Sequence, residues 1–342
     1  MGSKTSKIAV IAAVTMLWPT FASPQQGGAG ASGGLQIDIG VSSKFSADSN
    51  FTLSSANPGA SYISDTKLTF GISSKTSAYD FSLIAGSTLR FADIPGRSVS
   101  GFEDPTLKLR FVADSSNSRL TLTGGYRFVD REFLNPFQVE REEQALGLLV
   151  GNGGTLRDRS VGLKYEVGLN APLGFTLDLS HSDKDYEGVA SSSVRDSTRD
   201  SVTGTVRFKL SPVATGRFVV GQTNQENLQA TTNALITDRT TTDYSVGVAY
   251  DINSVLNLDA QVGYTDVETV RPLGTTSRSG VVGSIALTKS LPNGTVFGSL
   301  SSVRNQNGSR VSLTFGRDLQ LPTGSLRAVI GTTKADTGNS SV

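Results

Sequence analysis

The stretch from Asp243 to Val270 constrains the fold more than any other. Tyr244, Val246, Val248 and Tyr250 alternate with Ser245, Gly247, Ala249 and Asp251. Beyond Ile252–Val255, Leu256, Leu258, Ala260, Val262 and Tyr264 alternate with Asn257, Asp259, Gln261 and Gly263. A period of two puts each set on its own face of a strand. The segment between the runs is long enough only for a hairpin reversal. Tyr244, Tyr250 and Tyr264 stand at the ends of the apolar face, and the opposite face is small and polar, unlike a packed core. Each run is about ten residues, the length that crosses a bilayer when tilted. The stretch therefore predicts a hairpin of two membrane-crossing strands, apolar towards lipid and polar towards a lumen.

The same alternation recurs along the chain. It is clear at Leu35–Ser42, Leu68–Ile72, Tyr79–Phe91, Leu107–Phe111, Leu120–Phe128, Val161–Leu169, Phe175–Ser180 and Val202–Leu210. It returns at Phe218–Val220, Val281–Leu287, Val296–Leu300, Val311–Phe315 and Leu326–Ile330. Short breaks such as Ser73–Ser77, Asp114–Ser118, Asn170–Gly174 and Ser211–Thr215 alternate with longer ones at Ala92–Asp104, Val129–Arg157, Ser182–Arg199, Asn224–Thr240 and Asp266–Ser279. About fifteen strands result. Single-chain bacterial barrels have an even count, so a sixteenth, closing strand is expected in the complete protein.

Met1 to Ser23 reads as a signal peptide: Lys4 and Lys7, an apolar Ile8–Trp18 run, then small residues at Thr20 and Ala22. Residues 24–34 form a Gly/Ala/Ser linker on the periplasmic side, and 35–342 the barrel domain. Charged residues make up 18% of the chain, against roughly 25% in average soluble domains, which suits a wall facing hydrocarbon. The net charge of +1, with no basic tail, gives no support to nucleic acid as a partner. The absence of Cys excludes disulfides, thiolate metal sites and cysteine nucleophiles.

A soluble sandwich would also alternate, but its exposed face would be rich in Lys and Glu rather than Ser, Thr, Gly and Asn. In hydrocarbon every backbone polar group needs a partner, and a closed barrel leaves no edge. The fold class expected is all-β: a transmembrane antiparallel up-and-down β-barrel. From Leu35 to Ile330 the chain resembles Gram-negative outer-membrane β-barrel proteins, with a porin-like strand count. It is not acidic overall and lacks the Pro-Glu-Phe-Gly-Gly signature of general porins.

Facing parity assigns Lys67, Arg90, Lys108, Arg110, Arg127, Lys164, Arg207, Lys209, Arg217, Arg310 and Arg327 to the lumen as candidate pore-lining residues. Lumen-parity acids are fewer: Asp38, Asp80, Glu166, Asp178 and Asp259. A basic lining favours anions; the alternative is that these groups pair with acids and water. Tyr126, Tyr244, Tyr250 and Tyr264 are the candidate membrane girdle. In classical porins the third external loop narrows the lumen. By that resemblance Val129–Arg157, with Glu140, Glu142 and Glu143, is a candidate constriction loop; the alternative is a loop packed on the rim. His181, the only His, has outward parity near a strand end, where it meets lipid headgroups rather than a catalytic partner. No spacing suits a metal or a phosphate-cradling loop, so no cofactor and no enzyme activity are expected.

The expected function is an outer-membrane pore or passive channel for small hydrophilic solutes, weakly anion-selective. Its partners would be outer-membrane lipid, lipopolysaccharide and a second copy, as in porin oligomers. Two alternatives stay open: a non-conducting barrel acting through its external loops, and an outer-membrane component of polysaccharide export.

Overall fold

A computed structural model describes residues 34–49, 59–133, 154–189, 194–305, 308–321 and 324–336. The expected signal peptide, most of the linker, and Glu140, Glu142 and Glu143 lie outside these residues. No sixteenth strand occurs among them.

The described chain forms fifteen strands. They are β1 (Leu35–Asp48), β2 (Ser61–Lys75), β3 (Tyr79–Ile94), β4 (Arg97–Asp114), β5 (Ser118–Asp130), β6 (Thr155–Val167), β7 (Leu173–Glu187) and β8 (Arg195–Ser211). There follow β9 (Ala214–Gln229), β10 (Leu235–Asn253), β11 (Leu256–Arg271), β12 (Gly274–Leu291), β13 (Gly294–Asn305), β14 (Gly308–Leu321) and β15 (Gly324–Asp336). Each pairs antiparallel with its sequence neighbour, so the order in the sheet is the order in the chain. Apart from one 3-10 turn, Arg131–Phe133, no helix occurs among the described residues.

Exposure shows which way the sheet curls. Val262 is 59% exposed, Val281 70% and Ile39 77%, although all are apolar. The polar residues of the other face, such as Asp259, Gln261 and Ser284, are less exposed. A convex face splays its side chains and a concave face crowds them, so the apolar set is outside and the polar set inside. This inverts the arrangement of a water-soluble protein.

The strands are longer than the alternation suggests, at 12–19 residues. The segments Ala92–Asp104, Ser182–Arg199, Asn224–Thr240 and Asp266–Ser279, expected as long loops, are mostly strand. β3 and β4 are joined by only two residues, as are β11 and β12. The strict alternation of short and long connections is therefore replaced by strand tips that overshoot the apolar band at one end. Of the expected third loop, Val129 and Asp130 are strand, Arg131–Phe133 is the 3-10 turn and β6 begins at Thr155. Strand pairing needs only backbone partners, so it continues where the outer face turns polar.

In these tips the polarity of the two faces flips. On β11 the outer face runs from Leu256 to Tyr264 and then becomes Asp266 and Glu268. The inner face runs from Asn257, Asp259 and Gln261 to Thr265, Val267 and Thr269, which are 4%, 2% and 1% exposed. β7 does the same: outer Leu177 and Leu179 give way to Asp183, Asp185 and Glu187, and inner Tyr186 is buried. Two apolar clusters fill the concave side there. One joins Val129, Leu156, Tyr186, Val189 and Val194 with Ala230, and the other Ile63, Ala92 and Ile94 with Val99 and Phe133. Seven residues separate Tyr264 from the end of β11, so this tip stands about 17 Å beyond the apolar band for a strand tilted near 45°. It is built as a water-soluble β-structure, charged outside and packed inside.

The inversion makes a checkable contrast between neighbours. Val267→Ala removes two methyl groups from a packed, 2% exposed position and should lower stability by about 1–2 kcal/mol. Asp266→Ala, one residue away on the outer face, should change it by less than about 0.5 kcal/mol. Urea titration followed by circular dichroism reads both.

Candidate functional site

Among the described residues the inner face carries most of the ion pairs, and strand register decides them. Near the far end, Asp65 and Arg90 are direct cross-strand partners. Arg90 Nε and Nη2 donate to the two Asp65 carboxylate oxygens at 2.8 and 3.2 Å, and Nη2 also reaches Asp104 Oδ2 at 2.8 Å. Asp104 sits beside a β3–β4 register shift with a φ of 52°, which turns its carboxylate towards Arg90. Its other oxygen accepts the Asp130 N–H at 3.2 Å, and Asp130 accepts from Arg97 at 2.7 Å. The Phe133 ring lies 4.2 Å from the Arg90 guanidinium carbon. Arg90 is 3% exposed. This cluster ties β2, β3, β4 and β5 to the start of the following connection. It is a structural knot, not an anion site.

A second pair lies lower on the wall. Arg217 grips Asp259 through two bonds of 2.6 Å and adds Gln261 at 3.0 Å, so β9 and β11 are linked across β10. Gly247 on β10 leaves room: a Cβ there would sit 2.8 Å from Arg217 Nε. Arg207 donates to the carbonyls of Gly168 and Leu169, at 2.9 and 3.2 Å. Gly168 has a φ of 75°, and a Cβ there would lie 2.1 Å from the Leu173 carbonyl oxygen, so that turn requires glycine. Lys164 meets Glu166 at 3.4 Å, and Arg327 meets Asp318 at 3.4 Å beneath the Phe297 ring.

Of the eleven basic residues assigned to the lumen by parity, Arg90, Lys164, Arg207, Arg217 and Arg327 thus have protein partners. Arg127 stands opposite Thr106 and Asp158. Lys209 lies at a register shift near the end of β8, and Arg310 is exposed near the start of β14. They are spread over the height of the sheet rather than gathered in one ring. Lys67, Lys108 and Arg110 differ from the paired set. All three are exposed on the inner face of β2 and β4, and none contacts a carboxylate among the described residues.

Tyr244 and Tyr264 are cross-strand partners on the outer face at one edge of the apolar band, 49% and 46% exposed. Tyr250 stands at the other edge, opposite Leu258, and Tyr126 lies on the outer face of β5. Tyr79 and Phe111 stack at 6.1 Å near the same edge as Tyr250. His181 faces outward and its Nδ1 lies 2.7 Å from Asp200 Oδ1, its cross-strand partner. The neighbouring serines, Ser180 and Ser201, fall on the inner face, away from the ring. No cluster of three metal-ligating side chains occurs among the described residues.

Parity alone missed Asp65, Asp104, Asp130 and Phe133. Their roles depend on register and on a bulge, which no local pattern reports.

No family model matches the chain, and no curated protein sequence does. Among solved structures, the chain superposes on the FrpB iron transporter of Neisseria meningitidis (F3-3 variant) with a TM-score of 0.56 at 11% identity. The match covers 89% of this chain and 54% of FrpB, so the chain spans about half the length of that structure. This chain has the fold of an outer-membrane β-barrel. A second overlap, with a deletion mutant of the TodX monoaromatic hydrocarbon channel, has a TM-score of 0.33 at 12% identity, with 88% of this chain and 89% of that one covered. The concave polar face is the barrel's lumen side, and the convex apolar face its lipid side.

The Arg90 knot is the clearest test of this wall. Arg90→Leu leaves Asp65 and Asp104 facing each other without a cation, and should cost about 3–5 kcal/mol. Adding Asp65→Asn and Asp104→Asn to Arg90→Leu should recover part of that loss. The readout is the temperature at which the folded band converts to the unfolded one on SDS gels.

Proposed function

We propose that this chain is a passive pore of the outer membrane for small hydrophilic solutes, weakly selective for anions. The observation that carries the reading is the set of Lys67, Lys108 and Arg110, exposed on the polar lumen side with no carboxylate in contact among the described residues. Cations not neutralised by the wall raise the local concentration of anions and repel cations. Arg90, Lys164, Arg217 and Arg327 contribute much less, because each is matched by a carboxylate within the wall. Lipid and lipopolysaccharide would surround the apolar band, and a second copy could share it, as in porin oligomers.

A second reading rests on a different observation. The buried clusters around Val129, Leu156, Tyr186 and Val194, and around Ile63, Ala92 and Ile94, fill the concave side of the overshooting tips. Packing of that kind narrows the mouth, and a barrel closed there would act through its outward-facing tips rather than by conduction.

Planar-bilayer recording of the folded protein in a salt gradient separates the two. Steady steps with a reversal potential displaced towards the anion limit support the pore. Lys108→Glu with Arg110→Glu should then move the reversal potential towards the cation side, while Arg327→Gln should move it little. Protein that is folded by heat-dependent gel mobility yet gives no steps would put the closed barrel first.

A further inference from the structure

A third group of lumen-side cations stands apart from both the paired set and the Lys67, Lys108 and Arg110 set. Arg199 on β8, Gln225 on β9 and Arg239 on β10 occupy one row of the sheet: Arg199 pairs with Gln225, and Gln225 with Arg239. Strand alternation puts all three on the inner face, with Ser201, Thr223 and Thr241. The two arginine backbones are two strand spacings apart, about 9–10 Å. Two extended guanidinium side chains can close that span onto one small molecule.

The row is polar and organised, yet carries no counter-charge. Arg239 donates through Nη2 to Gln225 Oε1. The Gln225 amide nitrogen donates in turn to Asn227 Oδ1 at 3.4 Å, and Asn227 donates to Thr237 Oγ1 at 2.7 Å. The Gln225 oxygen is thereby turned to Arg239. On its other strand neighbour Arg239 faces Thr269, which is 1% exposed. The acids adjacent in sequence, Asp200, Glu226 and Asp238, alternate onto the outer face. Neither arginine is ion-paired among the described residues. Arg239 lies five residues beyond Tyr244, outside the apolar band. Burial first, and then the nearby Arg199 charge, push its guanidinium below its usual range. Arg239 is half-buried beside the exposed Arg199, and an anion joining the two would offset the cost of that arrangement.

We propose that Arg199 and Arg239, set around Gln225, form a binding site for a soluble oxyanion of the phosphate type. Such an anion offers several acceptor oxygens on one centre, and a guanidinium fork meets two of them at once. It would take the place of the missing carboxylate. The inference leans on the pore reading only for giving the site a place on a solute's path. Binding itself requires no conduction.

The experiment uses the full chain folded in detergent, with inorganic phosphate as the probe. Phenylglyoxal modifies accessible arginines, and peptide mass spectrometry reports each position. Phosphate should slow modification of Arg199 and Arg239 at least tenfold while slowing Arg317, exposed on the outer face of β14, less than twofold. Arg239→Gln and Arg199→Gln should each weaken phosphate binding at least tenfold by titration calorimetry, with Arg239→Lys intermediate and Arg317→Gln near unchanged. Equal protection of all three arginines, or unchanged affinity in folded Arg239→Gln protein, would overturn the site. Should a variant fail to fold, protection in the unaltered chain decides alone. Selective protection in a protein that never conducts would keep the site and remove the pore; conduction without protection would do the reverse.

Discussion

Everything in this molecule depends on the continuous backbone ladder from β1 to β15. Each strand gives its N–H and C=O groups to its sequence neighbours. In hydrocarbon an unpaired backbone group costs several kcal/mol, so the ladder is the condition under which the chain can stand in a membrane. Because the ladder is made by the backbone, it places no demand on which side chains face which way. Side-chain polarity can therefore follow the solvent outside each segment. It is apolar outward across the band between Tyr250 and Tyr244, and charged outward beyond it at Asp266 and Glu268.

The flip at the band edge explains the two kinds of interior. Across the band the lumen side holds charges that must be solvated or paired, and Arg217–Asp259 and Arg90–Asp65–Asp104 show the paired solution. Past the band the outer face is free to carry the charge, so the inner face can pack. Val267, Leu156 and Val194 do so. The lumen side is thus polar where lipid surrounds the wall and largely apolar where water does. Charge also stands on the inner face of some tips, at Asp158 and Lys184 and in the row of Arg199 and Arg239.

Parity arguments carried far in the band and failed at its edge for one reason. A period of two says which residues share a face, but not which solvent that face meets. Within Leu256–Tyr264 the apolar set is the lipid set, and the assignment of Lys108 and Arg110 to the other face follows directly. In Thr265–Arg271 the alternation persists with the polarity exchanged: Val267 is inward, Asp266 and Glu268 outward. Read as hydropathy alone, that stretch loses its strand signal. The same exchange hid the tip of β7, whereas in β9 both faces are polar from Gln222 to Asn227.

By itself the sequence determined the fold class, the strand count and the facing of side chains inside the membrane band, because these rest on local spacing and on the solvent the chain must satisfy. The outward facing of His181 and of Tyr126, Tyr244, Tyr250 and Tyr264 belongs to the same class of information. Tertiary structure decided which charges meet. Asp65 reaches Arg90, Arg217 reaches Asp259, and Arg199 is left beside Arg239, because register sums along neighbouring strands bring together residues tens of positions apart. No local pattern encodes such a sum. Whether a basic residue in this wall is a silent structural pair or a charge open to solute is therefore settled only when the strands are laid side by side.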